Sequence, residues 1–226
     1  MPIKTNYHGI YSQSMSNEPH EQDRFNAEVN VHLDHLDSKK TGNELLNKLQ
    51  GLSRKRGHKV TIHEIARNEK PGAEPVLSGH QLEAHPDLKT FPQKREEAGR
   101  SYALKKRGAE KNEGSSVVVT WSAHHTSIEL DEDGDPTGKV TSTNNDKVSA
   151  LGHELVHARH MMAGTWKGSY EDERNPDTPT GKEELRAVGL GKYKYSLSGE
   201  PSENSIRAEH DLPKRVSYHH TGYRSE

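Results

Sequence analysis

The sequence predicts an α+β fold in which a small mixed sheet packs beside one long helix. Two amphipathic segments near the amino terminus have helical spacing, later segments alternate as strands do, and another helical segment follows them. With 226 residues, 28% of them hydrophobic, the chain predicts one domain with a lean core. We expect residues 1–20 to be a disordered polar leader, serving as a secretion signal, and residues 21–226 to form the domain.

The first two elements are predicted to be helices. The first helix covers about residues 23–37, because apolar side chains recur there at steps of three and four: Phe25, Val29, Leu33 and Leu36. The second helix is predicted to start at Thr41, since Thr41 and Glu44 have the spacing of a capping box. Its apolar residues follow at helical spacing: Leu45, Leu46, Leu49 and Leu52.

Strands are predicted at residues 59–65 and 116–122, where β-branched residues dominate. We expect residues 116–122 to be the edge strand beside the long helix, where an extended peptide can add by backbone pairing. Trp121 could contribute a subsite there, although a core position is favoured in this valine-rich strand. Residues 67–115 are rich in proline, glycine and charge, and their pattern assigns no element.

An acidic turn is predicted between two weaker strand candidates, residues 127–130 and 139–141. Its three alternating aspartates resemble the start of a calcium-binding loop: Asp131, Asp133 and Asp135. The glycine is fourth rather than sixth, however, and no glutamate stands at the twelfth position. The pattern therefore favours the tip of a hairpin.

The long helix is predicted over residues 146–164, with Asp146 as its N-cap and Gly164 just beyond its end. It contains His153-Glu154-Leu155-Val156-His157, which is an H-E-x-x-H motif. Two imidazoles one helical turn apart can bind a single Zn²⁺ ion. Glu154 would then act as the general base that takes a proton from an activated water molecule.

A catalytic zinc ion needs a third protein ligand, and the chain has no cysteine to supply it. The position six residues after His157 is Ala163, and His160 would crowd the same helical face. A carboxylate from another helix is therefore the remaining common solution. The pair Glu183-Glu184 opens an apolar helical stretch and supplies a candidate, although for such a pair taken alone a solvated first helical turn is the favoured interpretation.

Three motifs together have a recognisable order. These are His-Glu-Leu-Val-His-Ala at 153–158, Glu-Glu-Leu-Arg-Ala-Val-Gly at 183–189, and a glutamate twelve residues before the arginine of an R-x-x-Y motif at 215–218. This set resembles clostridial neurotoxin light chains and, more closely, the NleD-type zinc metallopeptidases that Gram-negative pathogens inject into host cells. The resemblance implies a zincin-like (gluzincin) fold, one Zn²⁺ ion and a zinc endopeptidase that cleaves a host protein.

The resemblance also implies roles for individual residues. Glu184 would be the third zinc ligand beside His153 and His157. Glu203 and Glu183 would be partners that orient the zinc-bound side chains. Arg215 and Tyr218 would polarise the scissile carbonyl and stabilise the oxyanion, whereas the alternative is that they only anchor the carboxyl-terminal tail.

The resemblance further implies a host signalling protein as substrate, with a mitogen-activated protein kinase as a candidate. It implies delivery by a non-Sec, type III-like route into the host cytoplasm, and we expect a monomer. With a net charge of −2, the chain has no general attraction to nucleic acid or to an anionic membrane. The basic clusters at 54–56 and 105–107 are interpreted as solvated surface.

Two other functions remain open from the sequence. One is a zinc-stabilised interaction module without significant peptidase activity. The other is a secreted toxin directed at competing cells. The presence of Glu154, Arg215 and Tyr218 argues against the first, because a purely structural zinc site needs none of them.

Overall fold

The computed structural model describes residues 1–67, 69–104, 112–169 and 171–218. Its strands are β1 (Ile3–Lys4), β2 (Ile10–Gln13), β3 (Val60–Glu64), β4 (Gly72–Val76), β5 (Ser116–Trp121), β6 (Ser127–Leu130) and β7 (Pro136–Thr141). Its helices are α1 (Pro19–Asp37), α2 (Lys40–Arg56), α3 (Gly79–Ala84), α4 (Pro92–Ala103), α5 (Asn144–Met162), α6 (Pro179–Val188), α7 (Tyr195–Ser198) and α8 (Glu203–Glu209). Short 3-10 helices lie at Pro86–Lys89 and Gly191–Tyr193.

Five strands form a mixed sheet in the order β1-β2-β3-β5-β4. Strands β2, β3 and β5 are parallel, whereas β1 and β4 are antiparallel to their neighbours. Strands β6 and β7 form a separate antiparallel hairpin. Helix α5 packs against β5, so the predicted α+β fold with a small mixed sheet beside the H-E-x-x-H helix is confirmed.

The core lies between this sheet and helices α1, α2 and α5. The apolar residues predicted for α1 and α2 are buried except for Leu52, which is partly buried, and each large buried side chain contributes roughly 1.5–3 kcal/mol by leaving water. Trp121 is completely buried, with its ring 6.5 Å from that of Phe25 and 4.9 Å from that of His32. The favoured core position of Trp121 is therefore confirmed. No helix in the described ranges is long and apolar enough to span a bilayer.

Residues 1–20 are not a disordered leader, so that part of the domain prediction is wrong. Strand β1 pairs with β2, and β2 pairs in parallel with β3, where Ile10 lies opposite Val60. Ile10 is buried, and the Ser12 hydroxyl donates to Asn26 Oδ1 at 2.7 Å. The segment is polar and its strands are short, so its order comes from pairing with β3 rather than from a hydrophobic pattern of its own.

Two predicted helix starts are also wrong, while the predicted end of α5 is confirmed. Thr41 lies within the first turn of α2 rather than at its N-cap. Its backbone N–H donates to the Glu209 carboxylate of α8 at 2.8 Å, so a side chain from another helix satisfies a donor of this turn. Thr143, not Asp146, is the N-cap of α5, and Asp146 is its capping-box partner. Gly164 follows α5 with a φ of +64°, a conformation that favours glycine.

The edge-strand prediction for residues 116–122 is wrong because β5 lies between β3 and β4. The edge strands are β1 and β4, and β4, which pairs with β5, comes from the region that the sequence pattern left unassigned. Strand β4 contains Pro75. Proline has no N–H for a ladder hydrogen bond, and an edge strand tolerates this because one of its sides has no neighbouring strand.

The acidic turn does form a hairpin tip, between β6 and β7. The Asp131 carboxylate accepts the backbone N–H groups of Asp133 and Asp135 at 3.0 and 2.9 Å, so it stabilises the turn itself. Of the two basic clusters, residues 54–56 form the last turn of α2, and residues 105–107 lie outside the described residues.

Candidate metal centre

Helix α5 places the H-E-x-x-H residues in a buried position between the sheet and helices α6 and α8. His153, Glu154 and His157 are only 8%, 9% and 5% exposed. The two histidines are one helical turn apart, and α6 brings Glu184 to them from across the site. Glu184 is itself 9% exposed.

Three ligand atoms converge at this point. His153 Nε2 and His157 Nε2 are 3.1 Å apart, and each lies 3.3 Å from Glu184 Oε2. Tetrahedral Zn²⁺ with bonds of about 2.0–2.1 Å separates neighbouring ligands by about 3.3 Å. The three atoms therefore have the spacing of one face of a tetrahedron, and they can hold a metal ion while leaving a fourth position open.

The carboxylates of the site have different proton affinities. Burial alone would raise the pKa of Glu184, but the charge of His157 and hydrogen bonds from both histidines hold it well below its usual range. Glu184 is therefore the anion that a metal ligand must be. The pKa of Glu154 is raised, chiefly by burial, which makes its carboxylate a better proton acceptor.

On the side of α8, Glu203 fixes the orientation of His153. His153 Nδ1 lies 2.9 Å from Glu203 Oε2, and Arg215 Nη1 donates to the same oxygen at 2.9 Å. Burial would raise the pKa of Glu203, but the charge of Arg215 and the hydrogen bond from His153 lower it to about 2. An ionised Glu203 accepts the Nδ1 proton of His153 and so directs the Nε2 lone pair toward the ligand group.

Arg215 and Tyr218 lie together beside Glu203. Arg215 Nη2 donates to the backbone carbonyl of Tyr218 at 2.7 Å, and its guanidinium lies 5.5 Å from the centre of the Tyr218 ring. Burial and the negative charge of Glu184 raise the pKa of Tyr218, so its phenol keeps its proton. Both groups therefore lie in the electrostatic field of the candidate metal centre.

On the side of α6, Glu183 lies beside the Nδ1 atoms of His157 and His160. Glu183 Oε1 lies 2.5 Å from His160 Nδ1 and 3.6 Å from His157 Nδ1. Burial lowers the pKa of His160 to about 4, so a neutral ring donates its Nδ1 proton to Glu183. Sequence reasoning set His160 aside as a zinc ligand. In the structure His157 lies beside Glu184 and His160 lies beside Glu183, so two histidines of α5 meet two consecutive glutamates of α6.

A partly buried ionic network extends this contact toward the surface. Glu200 accepts from Arg159 Nη2 and from Arg186 Nη2, each at 3.0 Å. Arg159 belongs to α5 and Arg186 to α6, so Glu200 joins the two helices that carry the ligand atoms. Sequence reasoning missed Glu200, which lies in no motif.

Solved structures that match the chain include parts of two botulinum neurotoxins. The catalytic domain of Clostridium botulinum neurotoxin serotype F is 13% identical with a TM-score of 0.48, and the alignment covers 89% of this chain and 58% of that one. The botulinum neurotoxin type G light chain is 11% identical with a TM-score of 0.44, covering 88% and 54%. This chain thus spans less than two thirds of the length of these structures. No curated protein sequence matches it.

One family matches the chain over most of its length. The family Peptidase_M91, described as "Effector protein", matches residues 13–218, a range that contains the three ligand residues, Glu154, Arg215 and Tyr218. The resemblance to injected effector peptidases that the motifs predicted is confirmed by this match. The chain therefore belongs to the Peptidase_M91 family of effector proteins.

Proposed function

We propose that the protein is a zinc-dependent endopeptidase that acts inside a host cell on a host protein. The observation that chiefly supports this is the convergence of His153 Nε2, His157 Nε2 and Glu184 Oε2 within 3.1–3.3 Å of one another. Glu154 lies in the same buried group, and its charge interacts with those of the ligand residues. A structural metal site would need no such additional carboxylate.

In this proposal His153, His157 and Glu184 hold one Zn²⁺ ion. When bound, the ion supplies Lewis-acid activation of water and of the scissile carbonyl. Glu154 accepts the proton of the attacking water and passes it to the leaving amine, and burial strengthens it as a base. Glu203 keeps the imidazole of His153 in its ligand orientation through a hydrogen bond with Nδ1. Glu183, whose Oε1 lies 3.6 Å from His157 Nδ1, is proposed to orient His157 by its negative charge.

Arg215 and Tyr218 are proposed to stabilise the oxyanion. Tyr218 retains its phenolic proton, so it can donate a hydrogen bond to a developing negative charge. Arg215 is held by Glu203 and by the Tyr218 carbonyl, which fixes a cation beside the site. Loss of one such donor in other enzymes costs about 2.7–4 kcal/mol of transition-state stabilisation.

The substrate and the route of delivery are further parts of the proposal. Membership of an effector family supports secretion into a host. We propose that a type III-like route delivers the protein to the host cytoplasm. We further propose that the secretion signal lies within residues 1–20 and the catalytic domain in residues 21–226, with strands β1 and β2 extending the sheet of that domain. A mitogen-activated protein kinase is the proposed substrate, and the protein would act on it as a monomer.

Replacement of Glu154 tests the enzymatic role directly. Glu154→Gln keeps the size of the side chain but removes the base, so cleavage should fall by about 10²–10⁴-fold. Amino-terminal peptide profiling of host lysate should show new protein termini after treatment with the wild type. The same termini should be absent after treatment with Glu154→Gln or with chelated wild type. Zinc analysis should find one ion per chain in both proteins. Equal fragmentation by both would refute the proposal, and zinc binding without any cleavage by the wild type would favour an interaction module.

A further inference from the structure

Arg215 and Tyr218 lie on residues 213–218, which we call the C-terminal arm. The arm follows α8 and is described throughout, yet it contains neither a helix nor a strand. Regular secondary structure therefore does not fix the path of the arm's backbone. Contacts from other parts of the fold must do so.

One set of contacts comes from α8. The Asn204 amide donates from Nδ2 to the Arg215 carbonyl at 2.8 Å and accepts the Arg215 backbone N–H through Oδ1 at 2.7 Å. Arg207 Nε donates to the Pro213 carbonyl at 2.5 Å. Asn204 is 8% exposed and directly follows Glu203, the partner of the Arg215 side chain. Helix α8 thus holds both the backbone and the side chain of Arg215.

A second contact comes from the tip of the β6–β7 hairpin. Gly134 has a φ of +86°, and a Cβ built at this position would lie 2.1 Å from the Lys214 carbonyl oxygen and 3.2 Å from Val216 Cγ1. The backbone of the arm therefore lies directly on the hairpin tip, where even a methyl group does not fit. The Asp131 carboxylate holds the tip in shape through two backbone N–H groups.

We infer that Gly134 and Asn204 form a clamp that positions Arg215 and Tyr218 for the reaction. The hairpin tip meets the arm at Lys214 and Val216, and the Asn204 amide holds the backbone of Arg215 between them. Neither residue contacts the ligand group, so each acts through the arm. This inference rests on the proposed function, because it assigns Arg215 and Tyr218 a part in peptide cleavage.

The hairpin provides a matched control for the test. Gly138 also has a positive φ, +79°, but a Cβ there would meet nothing within 4 Å. Gly134→Ala and Gly138→Ala therefore place alanine in the same unfavourable backbone region, and only the first collides with the arm. Any difference between the two variants reports on the contact with Lys214.

Limited trypsin digestion measures the clamp without reference to peptidase activity. Cleavage after Lys214 and Arg215 requires the arm to leave its position, because a protease needs an extended segment. We expect Gly134→Ala to be cut there about tenfold faster than wild type, which equals about 1.4 kcal/mol of opening free energy. Gly138→Ala should be cut at the wild-type rate.

Kinetics on a synthetic peptide that spans a profiled cleavage site test the positioning role. For Gly134→Ala, kcat should fall about tenfold while KM and zinc affinity stay unchanged, because Arg215 and Tyr218 would act only in the transition state. Asn204→Asp loses the donor to the Arg215 carbonyl. Like Gly134→Ala, it should therefore be cut faster by trypsin and have a lower kcat. It also tests the clamp if Gly134→Ala does not fold.

The outcomes separate the clamp from the proposed function. Equal trypsin rates and equal kcat values for Gly134→Ala and Gly138→Ala, with wild-type behaviour of Asn204→Asp, would overturn the inference. Faster trypsin cleavage with unchanged kcat would overturn the positioning role. A wild-type protein that cuts no peptide at all would overturn the proposed function, while the trypsin difference would still establish the clamp.

Discussion

Helix α5 has two polar flanks, one facing α8 and one facing α6, and each supplies a carboxylate to the imidazoles of the helix. On the α8 flank, Glu203 joins His153 to Arg215, a cation that comes from outside the helices. On the α6 flank, Glu183 joins His157 to His160, and both Glu183 and His160 are only 1% exposed.

The difference between the flanks indicates different uses of the same His–carboxylate contact. The α8 flank ends in Arg215 and Tyr218, to which the proposed function assigns contact with the substrate. The α6 flank ends in Glu200, whose two arginine partners belong to helices α5 and α6. We therefore expect replacement of Glu203 to affect chemistry and metal affinity, and replacement of His160, which contacts none of the three ligand atoms, to affect stability.

The largest effect is expected for Glu203→Gln. The variant removes the charge that orients His153 and holds Arg215, so zinc affinity should fall about 10–100-fold, and activity at saturating zinc should fall as well. Competition with a chromophoric chelator measures the affinity. The matched control is Glu209→Gln on the same helix, since Glu209 contacts Thr41 and not the metal centre. Equal zinc affinity for Glu203→Gln and Glu209→Gln would remove the proposed distinction between the flanks.

A smaller effect, on stability alone, is expected for His160→Gln. The folded protein keeps His160 neutral with a pKa of about 4, while the unfolded chain protonates it near 6.5. The unfolded state therefore gains protons first, and the wild type loses stability as pH falls from about 6.5 to 4, by about 3 kcal/mol at most.

Denaturant unfolding of chelated protein across this pH range measures that loss. His160→Gln should show a shallower decline than wild type, whereas replacement of the exposed His20 by glutamine should leave the decline unchanged. A decline that is the same in all three proteins would contradict a buried neutral His160. Activity of zinc-loaded His160→Gln should stay near that of the wild type, and a large loss would place the α6 flank in the chemistry.

Local patterns were sufficient to predict α5 and its motif. The residues of H-E-x-x-H lie within one helix, so their spacing determines which of them share a face, and Gly164 ends that helix as predicted. Strand β5 was predictable for a similar reason, because its β-branched residues alone indicate a strand. In each case the information lies within a few consecutive residues.

Features that depend on distant partners were not predictable from the pattern. Strand β2 pairs with β3, which lies about fifty residues away in the chain. Strand β4 has no strand pattern in its own sequence and is recognised only from its pairing with β5. The contacts of His160 with Glu183 and of Asn204 with Arg215 arise from the packing of helices against each other and against the arm. Gly134 likewise gains its importance only from the approach of Lys214.

Anomalous diffraction at the zinc absorption edge, from a crystal of the protein with zinc, tests the central claim most directly. The account predicts one strong peak about 2.0–2.2 Å from His153 Nε2, His157 Nε2 and a carboxylate oxygen of Glu184. Stoichiometric zinc bound at another place, or a peak without Glu184 among its ligands, would contradict it.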